Sequence, residues 1–420
     1  MLGRNPKQIP MPRHAYSKRA LLGACSLAWL VAWAVGGIGR ADDWPQWRGA
    51  NRDGRVPRLP QTMPALKLLW QQKVAGRCDA GLSVVSGLLV MADHDDQHDY
   101  YACYRAAAGQ EVWKRTFANG REMDYGAGPR AAPLIYQEKV YVLSAFGDLC
   151  CLELMTGATV WQKSFLEELG AKRVPRWGFS SSPLVAQGKL IVNPGGKAAI
   201  VALDPQTGQT VWQGEGGASN YSSFLAGTLG GVEQVIGYDA KTLGGWDLNT
   251  GKRLWSRELE VSGGYIVPTP VQVGTQLLVA DSNNPAQLFA FDEHGVLRQT
   301  PVGQSEELAP EISTPVVAGG LVLGQAGNLV CLDAADQLKT LWKEEDEPAF
   351  QADCHFIVSA DRGLAFSNQG ELVLFRFDRQ GVEILGKKVL CQKTLMHPTV
   401  VDGRLYVRDQ EFLDCYDLTD

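Results

Sequence analysis

Seven consecutive positions, Asp93-His94-Asp95-Asp96-Gln97-His98-Asp99, hold two imidazoles and four carboxylates. These are donor types that a divalent ion takes, which makes Asp93, His94 and His98 candidate metal ligands; the plainer reading is a solvated acidic loop. A second group is spread along the chain: Arg130, Trp177, Tyr221, Tyr265, Glu311, Asp353, His355 and His397. Aromatic plates with a guanidinium and carboxylates suit a planar anion, a sugar or a peptide, and they also occur on any polar rim. His355 or His397 would be the base of a lyase or hydrolase. There is no glycine-rich phosphate loop, Cys-x-x-Cys or Gly-x-Ser-x-Gly, so no motif names a reaction.

Whatever these side chains do, repeated elements must place them, and tryptophan marks the repeat. Trp70, Trp113, Trp161, Trp212, Trp255 and Trp342 lie 43, 48, 51, 43 and 87 residues apart, the last gap being two periods. Unfilled beats near Arg298 and Leu385 bring the number to eight. Segments open near Ala80, Ala131, Ser181, Ser222, Thr269, Thr314, His355 and His397, five of them with a proline where the missing N–H costs no ladder bond. Gly109, Gly157, Gly208 and Gly251 mark a tight turn before each fourth strand. Eight four-stranded units predict an all-β fold, an eight-bladed β-propeller of antiparallel blades over residues 65–420. The last unit has three strands, and residues 66–73 are expected to supply its outer strand and close the ring. Loops between fourth and first strands share a face with those between second and third strands, and that face carries the second group of candidates.

Residues 1–41 stand apart. A basic start with no acid, an apolar run over residues 20–39 and Gly39-Arg40-Ala41 read as a secretory signal, or an uncleaved anchor and the sole route to a membrane. The expected location is the periplasm or another exported compartment. Without this leader the chain carries 34 basic and 46 acidic residues, a net charge of −12, which excludes a nucleic-acid partner in the absence of a basic patch. Nine cysteines invite disulfides, yet Cys103, Cys151, Cys331 and Cys415 share a slot that Ala202 and Gly245 fill elsewhere, so a small buried thiol suffices. Cys78, Cys354 and Cys391 lie outside the slot and are free to pair.

The phrases Leu203-Asp204-Pro205-Gln206-Thr207-Gly208-Gln209-Thr210-Val211-Trp212 and Trp246-Asp247-Leu248-Asn249-Thr250-Gly251-Lys252-Arg253-Leu254-Trp255 resemble the tryptophan-docking repeats of quinoprotein alcohol dehydrogenase-like propellers. The resemblance covers residues 65–420. It implies the fold, and it leaves two functions open. One is a non-catalytic, monomeric, cofactor-free scaffold that binds envelope proteins or peptides, similar to the propellers that act as outer-membrane-protein assembly factors. The alternative is an oxidoreductase of alcohols or sugars using pyrroloquinoline quinone (PQQ) and Ca²⁺, in which Trp177, Glu311 and Asp353 would be floor, cation ligand and base. Dehydrogenases of this kind carry a vicinal disulfide, but Cys150 and Cys151 on one strand point to opposite faces. The arm at residues 42–64, with Asp43-Trp44-Pro45-Gln46-Trp47-Arg48-Gly49, resembles the leading segment of exported relatives and is expected to pack against the barrel's side.

Overall fold

The computed structural model describes residues 43–259 and 264–420; the leader at residues 1–41 lies outside them. Eight four-stranded antiparallel sheets follow one another around a ring. Blades one to seven span residues 83–118, 134–164, 184–214, 225–258, 271–305, 316–344 and 354–389. Blade eight takes three strands from residues 399–417 and its outermost strand from Leu68–Lys73, which pairs with Phe412–Asp417. The expected N-terminal closure is therefore present.

The repeat phrase has a physical reading at each position. The Asp204 carboxylate accepts from the N–H groups of Gln206 and Thr207 and from the Thr207 hydroxyl, and Asp247 does the same for Asn249 and Thr250. This local bonding folds the turn. Gly208 and Gly251 then adopt φ of +68° and +72°, and a Cβ there would lie 2.8 and 2.4 Å from Trp161 and Trp212. Each tryptophan thus stacks on the turn of the following blade. Its indole N–H donates to a carbonyl there: Trp70 to Ala106, Trp113 to Leu154, Trp161 to Pro205, Trp212 to Leu248 and Trp342 to Asp378, at 2.7–3.1 Å.

The cysteine slot is the position directly across from that tryptophan. Cys103, Cys151, Ala202, Gly245, Cys331 and Cys415 pair in register with Trp113, Trp161, Trp212, Trp255, Trp342 and Trp70. All eight described cysteines carry free thiols, Cys78, Cys354 and Cys391 included. Burial raises the slot thiols, Cys103 and Cys151 each to about 12, so they behave as small apolar groups.

Blade five breaks the pattern. Its outer strand is only Gly303–Ser305, and Arg298 falls in the turn before it rather than on a tryptophan beat. With no standard turn to meet, Trp255 donates instead to Gln234 Oε1 of its own blade at 2.7 Å, and Gln234 Nε2 donates to Gly295 O at 3.0 Å. Leu385 does lie in the outer strand of blade seven, Val382–Val389.

The arm corrects an expectation. It does not lie on the barrel's side but bonds to innermost strands around the axis. Trp44 bridges Val84 of blade one, Pro45 O accepts from Ile135 of blade two, and Arg52 donates to Ser182 and Pro183 carbonyls beside blade three. Arg48 reaches Pro315 O beside blade six, and Gly54 and Val56 bond to Val358 of blade seven. The innermost strands are the only places in a ring where unsatisfied backbone groups of so many blades come within one short segment's reach.

Candidate functional site

The loops entering blades two to five gather an aromatic cluster. The Trp177 ring sits 5.3 Å from Tyr221, 5.2 Å from Tyr265 and 6.4 Å from Tyr125, the last two edge-on. The Trp177 backbone N–H donates to the Tyr221 hydroxyl, while its indole N–H is buried without a partner in the protein. Tyr125 is 68% exposed and holds a φ of +65°, an uncommon posture for a bulky residue. Arg176 lies over Trp177 and pairs with Asp124.

Carboxylates adjoin the rings. Tyr265 donates to Glu311 Oε1 at 2.7 Å, which raises the phenol. Glu311 and Asp353 line a groove of about 850 Å³ with Glu306, Glu307 and Asn368. Burial, and then the nearby Glu311 charge, raise Asp353. Arg130 turns its guanidinium onto Gly126 and Gly128 carbonyls of its own loop, bracing it beside Tyr221. Six of the eight rim residues expected from sequence therefore meet on one face.

His355 and His397 do not join them. Their rings are 5.1 Å apart on the axis, where His397 also lies 6.5 Å from Trp47 of the arm. His355 Nε2 faces Leu395 O and His397 Nδ1 faces Pro398 O. Desolvation pushes His355 down to about 4 and His397 well below the usual imidazole range, so both are neutral.

The acidic loop does not assemble a metal centre. Asp93 and His94 lie on the second strand and His98 on the third, leaving residues 95–97 as the turn. Asp93 is buried against Arg408 at 2.6 Å, His94 bonds Asp99 at 2.7 Å, and His98 faces Asp95 at 3.3 Å. Each is committed to its own neighbour. Among the described residues, no three His, Cys, Asp or Glu side chains converge on one point.

A family model described as outer membrane protein assembly factor BamB matches residues 101–344, more than half of the chain. The chain belongs to the BamB family. Outer membrane protein assembly factor BamB of Bordetella pertussis is 23% identical over 353 residues, covering 79% of this chain and 82% of that one. The protein of the same name from Yersinia pestis is 25% identical over 317 residues, covering 72% and 76%. Among solved structures, BamB from Moraxella catarrhalis has a TM-score of 0.60 at 18% identity, covering 84% of this chain and all of that one. Quinohemoprotein alcohol dehydrogenase from Comamonas testosteroni has a TM-score of 0.65 at 15% identity, covering 91% and 81%. At such identities the structural likeness speaks for the propeller alone.

In this BamB-family chain the three residues expected to serve a quinone each have partners within the protein. Trp177, the ring expected as a quinone floor, is half-buried, with Tyr125 and Tyr265 edge-on to it, Tyr221 tilted against it and Arg176 over its face. Asp353 accepts from Asn368 Nδ2 at 3.2 Å and Glu311 from the Tyr265 hydroxyl, and each carboxylate keeps further acceptor positions open to the groove. Cys150 and Cys151 remain thiols on the third strand of blade two, paired with Val142 and Tyr141. Sequence reasoning missed the axis itself, where Trp47, with Arg48 and Arg52 on its ring, approaches the two histidines. The one signal available was a pair of arginines four residues apart beside a tryptophan.

Proposed function

We propose that the chain is an exported, monomeric, non-catalytic scaffold of the cell envelope, working without a cofactor, which binds segments of other envelope proteins on its loop-rich face. The observation that carries this reading is the cluster Tyr125, Trp177, Tyr221 and Tyr265 beside a groove rich in carboxylates. Exposed aromatics are the usual anchors of a protein interface, and carboxylates at their border favour segments that also carry Lys or Arg. Membership of the BamB family supports an assembly role, as the relatives' names state. The basic and apolar residues 1–41 support export, with the leader either removed or kept as an anchor. Among the described residues no helix is long and apolar enough to cross a membrane.

The test is titration with extended peptides from outer-membrane β-barrel proteins, followed by tryptophan fluorescence, for wild type and Trp177→Ala/Tyr265→Ala. Saturable binding that weakens about tenfold or more in the double variant is expected. Equal binding by both proteins would reject this face. Ca²⁺-dependent PQQ binding with dye reduction would replace the scaffold by the oxidoreductase.

A further inference from the structure

The axis of the ring holds positive charge with no counter-charge in contact. Arg48 is 2% and Arg52 8% exposed, and each guanidinium carbon lies 5.4 Å from the Trp47 ring centre. Their protein partners are mostly carbonyls: Asp53 and Pro315 for Arg48, Ser182 and Pro183 for Arg52, together with the Gln46 amide oxygen. Burial pushes Arg48 down to about 10, offset only in part by Asp53, and Arg52 to about 9, with Arg48 adding to the fall. Three polar atoms here are buried with no partner in the protein: Arg48 Nη1, Arg52 Nε and His397 Nε2. With Nδ1 of His397 at 2.7 Å from Pro398 O, that atom carries the ring proton and Nε2 is left as an acceptor or as the second donor of the charged form. Both arginines stand at left-handed backbone positions, φ +59° and +58°. A non-glycine residue held there twice within five positions is a local cost that the surrounding contacts must sustain.

We infer that Arg48 and Arg52, with His397 beside them, form an oxyanion receptor on the propeller axis, where Arg52 and Gln46 of the arm line a groove of about 430 Å³ with Leu184 and Leu225. Guanidinium N–H groups bind carboxylate and phosphate oxygens with charge-assisted bonds, and a buried guanidinium without such a partner is costly to keep. An oxyanion at this place satisfies Arg48 Nη1 or Arg52 Nε and supplies the missing negative charge. The Trp47 ring holds both cations in position from one side chain. The same anion would favour a proton on His397, turning Nε2 into a further donor. The ligand's chemistry is a compact oxyanion, either free or as the carboxylate end of a peptide. This site is separate from the aromatic face and stands whether or not that face binds proteins.

The test uses the purified full chain in mild detergent at constant ionic strength. Thermal midpoints and calorimetric titrations are recorded with sulfate, phosphate and acetate against chloride, and with one short peptide as free acid and as C-terminal amide. A saturable rise in midpoint with an oxyanion but not chloride is expected. Stabilisation by free sulfate or phosphate alone assigns a free ion; binding of the acid peptide but not its amide assigns a peptide carboxylate. Arg48→Gln should weaken binding about tenfold or more, the size of one charge-assisted bond, and Arg52→Gln should also weaken it. If Arg48→Gln does not fold, Arg52→Gln and His397→Gln carry the comparison. No oxyanion effect beyond chloride, or an affinity unchanged in every folded variant, overturns the proposal.

Discussion

A single glycine shows how the ring is pinned. Gly208 and Gly188 both have left-handed φ, +68° and +70°, but a Cβ at Gly208 would meet Trp161 while one at Gly188 meets nothing within 4 Å. Replacing each by Ala therefore separates backbone strain from the docking contact. Gly208→Ala is expected to cost about 1–3 kcal/mol more than Gly188→Ala in urea denaturation, because overpacking is added to equal strain. Histidine gives a second prediction at this scale. His355 titrates near 4 in the fold and near 6.5 when unfolded, so below about pH 6.5 the unfolded chain takes up a proton that the folded chain refuses. The stability it contributes is complete above that pH and declines as the pH falls toward 4. Comparing urea midpoints of wild type and His355→Gln at several pH values should show a gap that narrows or reverses on acidification.

Among the elements, the blades were legible and the arm was not. The Asp-x-x-Thr-Gly turn and its following tryptophan are local chemistry repeated in step, so a count of beats fixes which loop belongs to which face. That is why Arg130, Trp177, Tyr221, Tyr265, Glu311 and Asp353 were expected together and are found together. The arm has no repeat to keep step with; its place depends on backbone groups of blades far along the chain, and the partnership of Trp47 with His397 left no local trace. Nor could spacing show that His94 would face Asp99 across a hairpin instead of a metal. Two element-level predictions follow from specific bonds. Gln234→Leu leaves the Trp255 indole and the Gly295 carbonyl unpaired and should cost about 1–3 kcal/mol, read by denaturant titration. Removing residues 43–74 strips the arm from the axis and exposes the edge of Phe412–Asp417; aggregation seen by light scattering is expected, and a monomer with unchanged melting would refute the closure.

At the scale of the molecule, charge and closure act together. The described ring belongs to a segment with a net charge of −12 once residues 1–41 are set aside, so long-range attraction favours basic partners at the acidic groove. Capture of a Lys- or Arg-rich peptide should fall as salt is raised from about 0.05 to 0.5 M, where screening shortens from over 10 Å to a few ångströms, while an uncharged aromatic peptide should lose little.

The closing strand also sets a direction in time. Leu68–Lys73 is made early, and its partner Phe412–Asp417 follows nearly 350 residues later. Until Phe412–Asp417 is in place, Trp70 waits on its blade-one turn without the neighbouring strand that completes its sheet. The ring therefore latches only when strands from distant parts of the sequence are both present, and a chain without Phe412–Asp417 has nothing to latch. A protease that recognises unpaired strands would read the state of the whole ring from whether this one seam is shut.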